Sequence, residues 1–279
     1  MIDRLKKFAA GRFANWTSGS RELRTYRLLG KTVKALPGTI RNEPDQDDAW
    51  FAWLSAHRRC LFDVGANVGF TALVAALQGM ERMLLIDPNP AALSRAATNL
   101  IYNNLAARCG FVTAFVSDQP GETIPFYTVG AGAAGSMYRG HARTAAAAGS
   151  IIHVPTTTID EQAAQLGWFP DFIKVDVEGA EAKVLKGAAR TVEAARPWIM
   201  VEMHSPPELP MLENARLVRD WCSRMNYRPW YMKEAVVMDR PEEMIAHRGR
   251  CHLLLMPAEE SYPVSLSKIK QGDPFNLQR

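Results

Sequence analysis

The chain has few cysteines, no long apolar run and little net charge, and each shortage removes a class of protein. Its four cysteines, Cys60, Cys109, Cys222 and Cys251, stand far apart with no C-x-x-C pair. That spacing argues against a zinc site or a disulfide framework and favours buried reduced thiols. No apolar stretch approaches the roughly 18 to 20 residues needed to span a bilayer. The opening MIDRLKKFAAGRFANW is broken by charges too early for a secretory signal, so the expected location is the cytoplasm. A formal charge of +4 on 279 residues does not by itself indicate a polyanionic partner.

The charge is unevenly spread. Met1 to Arg41 carries ten Lys/Arg against Asp3 and Glu22, and the rest is close to neutral. Ile2, Leu5, Phe8, Ala9, Phe13 and Trp16, then Leu23, Tyr26, Leu29 and Val33, recur at near-helical spacing, which predicts two short basic amphipathic helices. They would cover a face of the main domain, with peripheral membrane contact and nucleic-acid binding as the other readings. Pro37 to Asp48 reads as a linker. Residues 1–58 are therefore expected to form an extension and residues 59–279 the main domain.

From Arg59 onward, short apolar runs alternate with helical stretches, the pattern of βαβ units. Strands are expected at Cys60–Val64, Met83–Ile86, Gly110–Val116, Asp171–Val175 and Trp198–Met203. Helices are expected from Phe70, over Pro90–Tyr102, over Ala180–Ala189 and over Met211–Met225. Three closing strands, Tyr227–Met232, Ala235–Met238 and Cys251–Met256, predict an antiparallel edge hairpin. An insertion near 119–155, extended at both ends and rich in Gly and Ala between, reads as a hairpin, with a substrate-covering lid as one role. The fold class is a doubly wound, Rossmann-like α/β sheet, mostly parallel, with helices on both faces.

The sharpest local feature is Asp63-Val64-Gly65-Ala66-Asn67-Val68-Gly69, between a strand and a helix. Ligands of such sheets bind at the carboxyl ends of the strands. The G-x-G-x-x-G spacing is broken by Asn67 and Phe70, which weighs against a dinucleotide pyrophosphate. S-adenosylmethionine has no phosphate and needs instead a carboxylate for its amino group, assigned to Asp63, and loop amides for its carboxylate. Gly65, Asn67 and Gly69 complete that turn. Asp87, at the end of the next strand, is expected on the ribose, with a helix-capping role as the other reading. Ser117 and Asp118 are expected near the adenine.

In this order the segments resemble the FkbM family of methyltransferases. The resemblance rests on Phe62–Gly69, on Ile173-Lys174-Val175-Asp176-Val177-Glu178-Gly179-Ala180-Glu181 with Val184-Leu185-Lys186-Gly187, and on Pro197 through Glu202. It implies O-methylation of a hydroxyl on a small-molecule, sugar or glycan acceptor, without fixing the substrate. The family commonly has Glu where Asp87 stands.

Strand periodicity puts Lys174, Asp176 and Glu178 on one side and Glu202 with His204, so that both sets converge at neighbouring strand ends. His204, with an ordinary pKa near working pH, is the expected general base; a simple hydrogen-bonded histidine is the other reading. Asp176 and Glu178 would orient the acceptor, or with Glu202 hold a divalent cation; no metal is assigned, since the ligand spacing is not diagnostic. Glu181 is expected as a first-turn acid favoured by the helix dipole, and Lys174 as a partner of a carboxylate. A nucleic-acid or other N-methyltransferase is the alternative reading: it would share the fold and could use the basic N-terminus, but Asp176-Val177-Glu178-Gly179 stands where such enzymes usually carry an Asn/Asp-Pro-Pro-aromatic loop. A nicotinamide-dependent dehydrogenase and a silent binding protein of the same fold are weaker readings.

Overall fold

A computed structural model describes residues 22–41, 45–131, 135–140, 142–147, 149–245 and 251–273. The first expected amphipathic helix lies outside the described residues. The second is a correction: Arg24–Leu28 (β1) and Lys31–Ala35 (β2) form an antiparallel hairpin. Leu28, Val33 and Ala35 are buried while Thr32 and Lys34 are exposed, a period of two that the sparse apolar spacing did not separate from a helix. Leu29 and Gly30, both at positive φ, make the tight turn that such a hairpin requires.

The expected linker ends in a helix, Gln46–Ala56 (α1), with Asp45 as its N-cap and Asp48 closing a capping box. The run of acids is therefore a helix start. Trp50, Phe51, Ala52 and Leu54 of α1 are buried against the main sheet.

The core follows the βαβ rhythm: Cys60–Val64 (β3), Phe70–Gln78 (α2), Arg82–Ile86 (β4), Pro90–Ile101 (α3) and Cys109–Val112 (β5). The expected third strand splits, because Phe115–Val116 (β6) leaves to pair with Ile151–Thr157 (β8), which also pairs antiparallel with Thr123–Tyr127 (β7). The inserted hairpin is thus present, with a short helical turn at Arg143–Ala147 (α4) between its strands. After it come Ile159–Leu166 (α5), Phe172–Val175 (β9), Glu181–Lys186 (α6), Ala189–Ala195 (α7) and Trp198–Met203 (β10). The expected helix over Ala180–Ala189 breaks at Gly187, whose missing side chain lets it lie against the Ser117 backbone. Met211–Met225 (α8), Tyr227–Tyr231 (β11), Val236–Val237 (β12), Pro241–Ile245 (α9), Cys251–Pro257 (β13) and Val264–Ser267 (α10) finish the chain.

The large sheet has the order β12-β11-β13-β10-β9-β3-β4-β5. The five strands from β10 to β5 are parallel, and β13 enters antiparallel between β10 and β11. The central strands β3, β4, β9 and β10 bury both faces. Leu61 and Leu85 join the cluster under α1 to α3, whereas Phe62, Val64, Leu84 and Ile86 join the one under α5 to α8. The winding reverses between β3 and β9, so the crevice at their carboxyl ends is the natural ligand site.

Candidate active site

Gly65 and Gly69 both have φ near +80°. Their lack of a side chain serves the chain's own packing: a Cβ at Gly65 would overlap the Asp176 carbonyl, and one at Gly69 would press on Ala96 of α3. Close contact between β3 and β9, and between turn and helix, therefore fixes these glycines before any ligand enters. The turn's amides are also engaged. Gly65 and Ala66 donate to the Ile86 carbonyl, Gly69 to the Ala66 carbonyl, and Asn67 to Asp87. The amides at these four positions are thus met within the chain.

Asp63, expected to meet the ammonium directly or through water, is set back in the core. It is fully buried, accepts from Thr71 Oγ1 at 2.6 Å and lies 3.8 Å from Lys174 Nζ, behind the cavity walls rather than on them. Burial pushes its pKa up, while Lys174 and Thr71 pull it down. Lys174 bridges to Asp176 at 3.2 Å, as expected of a partner for a carboxylate.

Two cavities meet at Gly65, Asn67 and Asp176. The first, about 580 Å³, is lined by Asp87, Pro88 and Asn89 together with Ile86, Ala92, Val116 and Phe126. Asp87 accepts from the Asn67 amide at 2.7 Å through Oδ2 and from the Asn89 amide at 2.8 Å through Oδ1. The N-cap of α3 is Asn89, so the capping reading of Asp87 falls to its neighbour. Burial raises the Asp87 pKa to about 6 against the pull of those two amides. The insertion supplies part of the wall through Phe126 and Gly135, and Asn89 ties it down by donating to Thr128 Oγ1 and the Gly130 carbonyl.

Ser117 and Asp118 are not among the residues lining this cavity. Ser117 donates its amide to Thr157 in the small sheet, and Asp118 binds Lys186 at 2.7 Å and Lys183 at 3.4 Å. These lysines hold Asp118 at about 2 despite its burial. The reason is the departure of β6 from the main sheet, which leaves Ala114, Phe115 and Val116 at the cavity instead.

The second cavity, about 950 Å³, runs past Thr39, Arg41, Asp47, Thr71, Lys174, Asp176, Glu202 and His252. Beside it, His204 Nε2 lies 3.3 Å from Glu178, 3.6 Å from Glu202 and 3.9 Å from Asp176, while Nδ1 lies 2.9 Å from Glu181. The expected convergence occurs, by a different backbone route. The strand ends at Val175, and Glu178 swings back through a left-handed conformation, φ 55°. Such a conformation is uncommon outside glycine and is concentrated at functional sites.

Burial opposes a charge on His204, yet Glu181, Glu178 and Asp176 override it and raise the pKa to about 10. The shift runs against a general-base role, because an imidazole held toward its protonated form is a poorer proton acceptor. Sequence reasoning missed His252. It sits opposite Glu202 on β13, with Nε2 3.4 Å from that carboxylate and 3.8 Å from Asp47. Burial opposes its charge and Glu202 raises it, while Glu202 is held at about 2 against its own burial by the two histidines and Lys174. Only strand register could have found it, because nothing local marks Cys-His-Leu-Leu-Leu as more than a core strand. The donor atoms of Asp176, Glu202 and His204, and of Asp47, Glu202 and His252, lie within 4.8 Å of one another and could hold a cation. His204, His252 and Lys174 lie among these carboxylates as their ion-pair partners.

Among the described residues no helix is long and apolar enough to cross a membrane. No curated protein matches the chain. Among solved structures, methyltransferase FkbM from Methylobacillus flagellatus KT is 17% identical over 71% of this chain, with a TM-score of 0.45; the match spans only 43% of that protein. Cofactor-bound Rv0187 from MTB is 11% identical, covering 77% of this chain and 81% of that one at a TM-score of 0.45. M. jannaschii TYW2 in complex with AdoMet is 12% identical, covering 85% of each at 0.41. The methyltransferase FkbM domain family matches residues 63–229, which include the end of β3, the turn after it, Asp87, the Asp176–Glu181 segment and His204. The chain belongs to the FkbM family of methyltransferases.

Proposed function

We propose that the protein transfers a methyl group from S-adenosylmethionine to a hydroxyl of a sugar, glycan or natural-product acceptor. The observation that carries the reading is a pair of cavities of different chemistry that share Gly65, Asn67 and Asp176 in their walls. In one, Asp87 stands at a strand end among apolar walls; in the other, Glu202 and His252 line a polar trough, with His204 beside it.

The residues fit the cofactor. Each Asp87 oxygen accepts one backbone amide and keeps a lone pair for a ribose hydroxyl. Ile86, Ala92, Val116 and Phe126 offer apolar surface to an adenine. In the second cavity Asp176 offers a carboxylate to an ammonium, and Arg41 and Lys174 offer cations to a carboxylate. When bound, S-adenosylmethionine supplies an electrophilic methyl group.

The chain's own part is to orient a hydroxyl and take its proton. A hydroxyl in the trough can donate to Glu202, which at a pKa of about 2 orients rather than deprotonates. Asp176 lines both cavities, and we assign it the hydroxyl's proton. His204 and His252, charged, keep the carboxylates from repelling one another. The mixed charged wall of Thr39, Arg41, Asp47 and His252 suits a polyhydroxylated acceptor better than an apolar one.

The test is calorimetric titration with S-adenosylmethionine, S-adenosylhomocysteine and NAD in parallel. Binding of the first two without NAD is expected, followed by an acceptor screen that starts from hydroxylated sugars. Binding of NAD alone would overturn the reading.

A further inference from the structure

Glu181 is fully buried on the first turn of α6, where a role in complementing the helix dipole would call for no burial at all. A carboxylate cut off from water is costly unless its lone pairs are met by donors and its charge by a partner. Here they are met three times. Oε1 accepts from the Gly179 amide at 3.0 Å, Oε2 accepts from Asn214 Nδ2 at 2.8 Å, and Oε1 lies 2.9 Å from His204 Nδ1. Two of these neighbours, the Gly179 amide and Asn214 Nδ2, can only donate, so both carboxylate oxygens act as acceptors, and an Nδ1–H on His204 would complete the set.

Asn214 is itself settled. Its Nδ2 donates both to Glu181 and, at 2.9 Å, to the His204 carbonyl, so its amide orientation follows from two acceptors. One side chain on α8 thus grips the backbone of His204 and the carboxylate behind its ring. With Nδ1 directed inward, Nε2 is the nitrogen turned to Glu178, Glu202 and Asp176.

We infer that Glu181, clamped by Asn214 and the Gly179 amide, is a positioning residue that fixes the His204 ring with Nδ1–H inward and Nε2 facing the carboxylates of the cleft. Its functional purpose rests on the methyl-transfer reading, whereas the geometry does not. The same arrangement is found in enzymes where a buried carboxylate sets the tautomer and orientation of a working imidazole. Among the described residues, the carboxylates placed against His204 are Glu181 from α6, Asp176 and Glu178 from the segment after β9, and Glu202 from β10; Lys174 and His252 act on it through Asp176 and Glu202. Of these, Glu181 alone makes a contact with Nδ1, and it is the strongest of the groups that raise the ring's pKa.

The experiment is long-range ¹H–¹⁵N spectroscopy of the full chain labelled with ¹⁵N-histidine, with His204 assigned from His204→Asn. At pH 7.5 both ring nitrogens of wild-type His204 should be protonated. In Glu181→Gln the ring should lose its proton affinity by at least a hundredfold, a fall of two pH units in its midpoint, while affinity for S-adenosylhomocysteine stays within threefold. Asn214→Ser removes the clamp and leaves the charge, so its midpoint should stay within one unit of wild type while exchange of the Nδ1 proton speeds at least tenfold. A neutral wild-type ring at pH 7.5, or an unchanged midpoint in Glu181→Gln, would overturn the inference. Should Glu181→Gln fail to fold, the wild-type and Asn214→Ser spectra still decide it. Failure of the wild type to bind S-adenosylhomocysteine would count against the methyl-transfer reading and leave the spectroscopic result standing.

Discussion

The amide of Asn67 and the carboxylate of Asp87 are joined by a 2.7 Å hydrogen bond across the crevice between β3 and β4. Asn67 has φ 47°, a conformation asparagine tolerates better than most residues, and this turns its amide to the acid. The bond means that Asp87 is oriented by the chain before any ligand arrives. Preorganisation of this kind reduces the ordering cost of binding.

Asp87→Asn should therefore weaken S-adenosylhomocysteine binding while keeping the fold. Hydrogen bonds to a charged group contribute about 1.5–3 kcal/mol, or roughly 10- to 100-fold in affinity. Calorimetry measures the loss and circular dichroism checks the fold. Unchanged affinity in a folded variant would remove Asp87 from the ligand site.

The same residue sets a pH dependence. Its folded pKa of about 6 lies above the ordinary carboxylate value, so it is ionised at pH 7.5 and protonated at pH 5. A ligand that needs two acceptor oxygens should bind progressively less well as the pH falls through about 6. The wild-type affinity profile should show that step, and Asp87→Asn should flatten it.

The glycines offer a cleaner packing test. Gly65→Ala and Gly121→Ala impose the same strain, because their φ values are +82° and +81°. Only Gly65 would also collide, with the Asp176 carbonyl; nothing lies within 4 Å of a Cβ at Gly121. Gly121→Ala should cost about 1–2 kcal/mol from the left-handed backbone alone. Gly65→Ala should cost clearly more in urea unfolding and should abolish ligand binding, since β3 and β9 must part. Equal losses would show that the close approach carries no weight.

How far the sequence could be read depends on whether the signal was local. The strand–turn–helix at Cys60 to Gln78 and the acid at Asp87 follow from local pattern, and the structure has them where expected. The place of Ser117 and Asp118 outside the cavity lining was not legible, because nothing local announces that β6 abandons the sheet; the partner that draws it away, β8, lies some forty residues on. The burial of Asp63 was hidden for a related reason. Its position at a strand end was legible, but its side chain is sealed by Thr71 and Lys174, contacts that only the packed α2 and β9 create. The helix misread over Leu23 to Val33 shows how a short amphipathic run fits both periods until a two-residue turn is recognised. His204 was legible as a site residue, but the direction of its pKa shift was not, because that is set by the four carboxylates around it.

That shift predicts how stability should depend on pH. The folded-state pKa of His204, about 10, is raised above the ordinary value near 6.5. A raised basic group contributes stability that is fully present below its unfolded pKa and is lost as the pH climbs to the folded value. Wild-type stability should accordingly fall between about pH 6.5 and 10, by up to a few kcal/mol, an upper figure because several charges share the network. His204→Gln should be less stable at pH 6 and should lose much of that alkaline slope, so the two proteins' unfolding free energies should converge as the pH rises. Urea denaturation at half-unit steps measures both curves. If the wild type and His204→Gln keep a constant difference from pH 6 to 10, the ring is not charged in the folded protein, and its carboxylate neighbours must be balanced some other way.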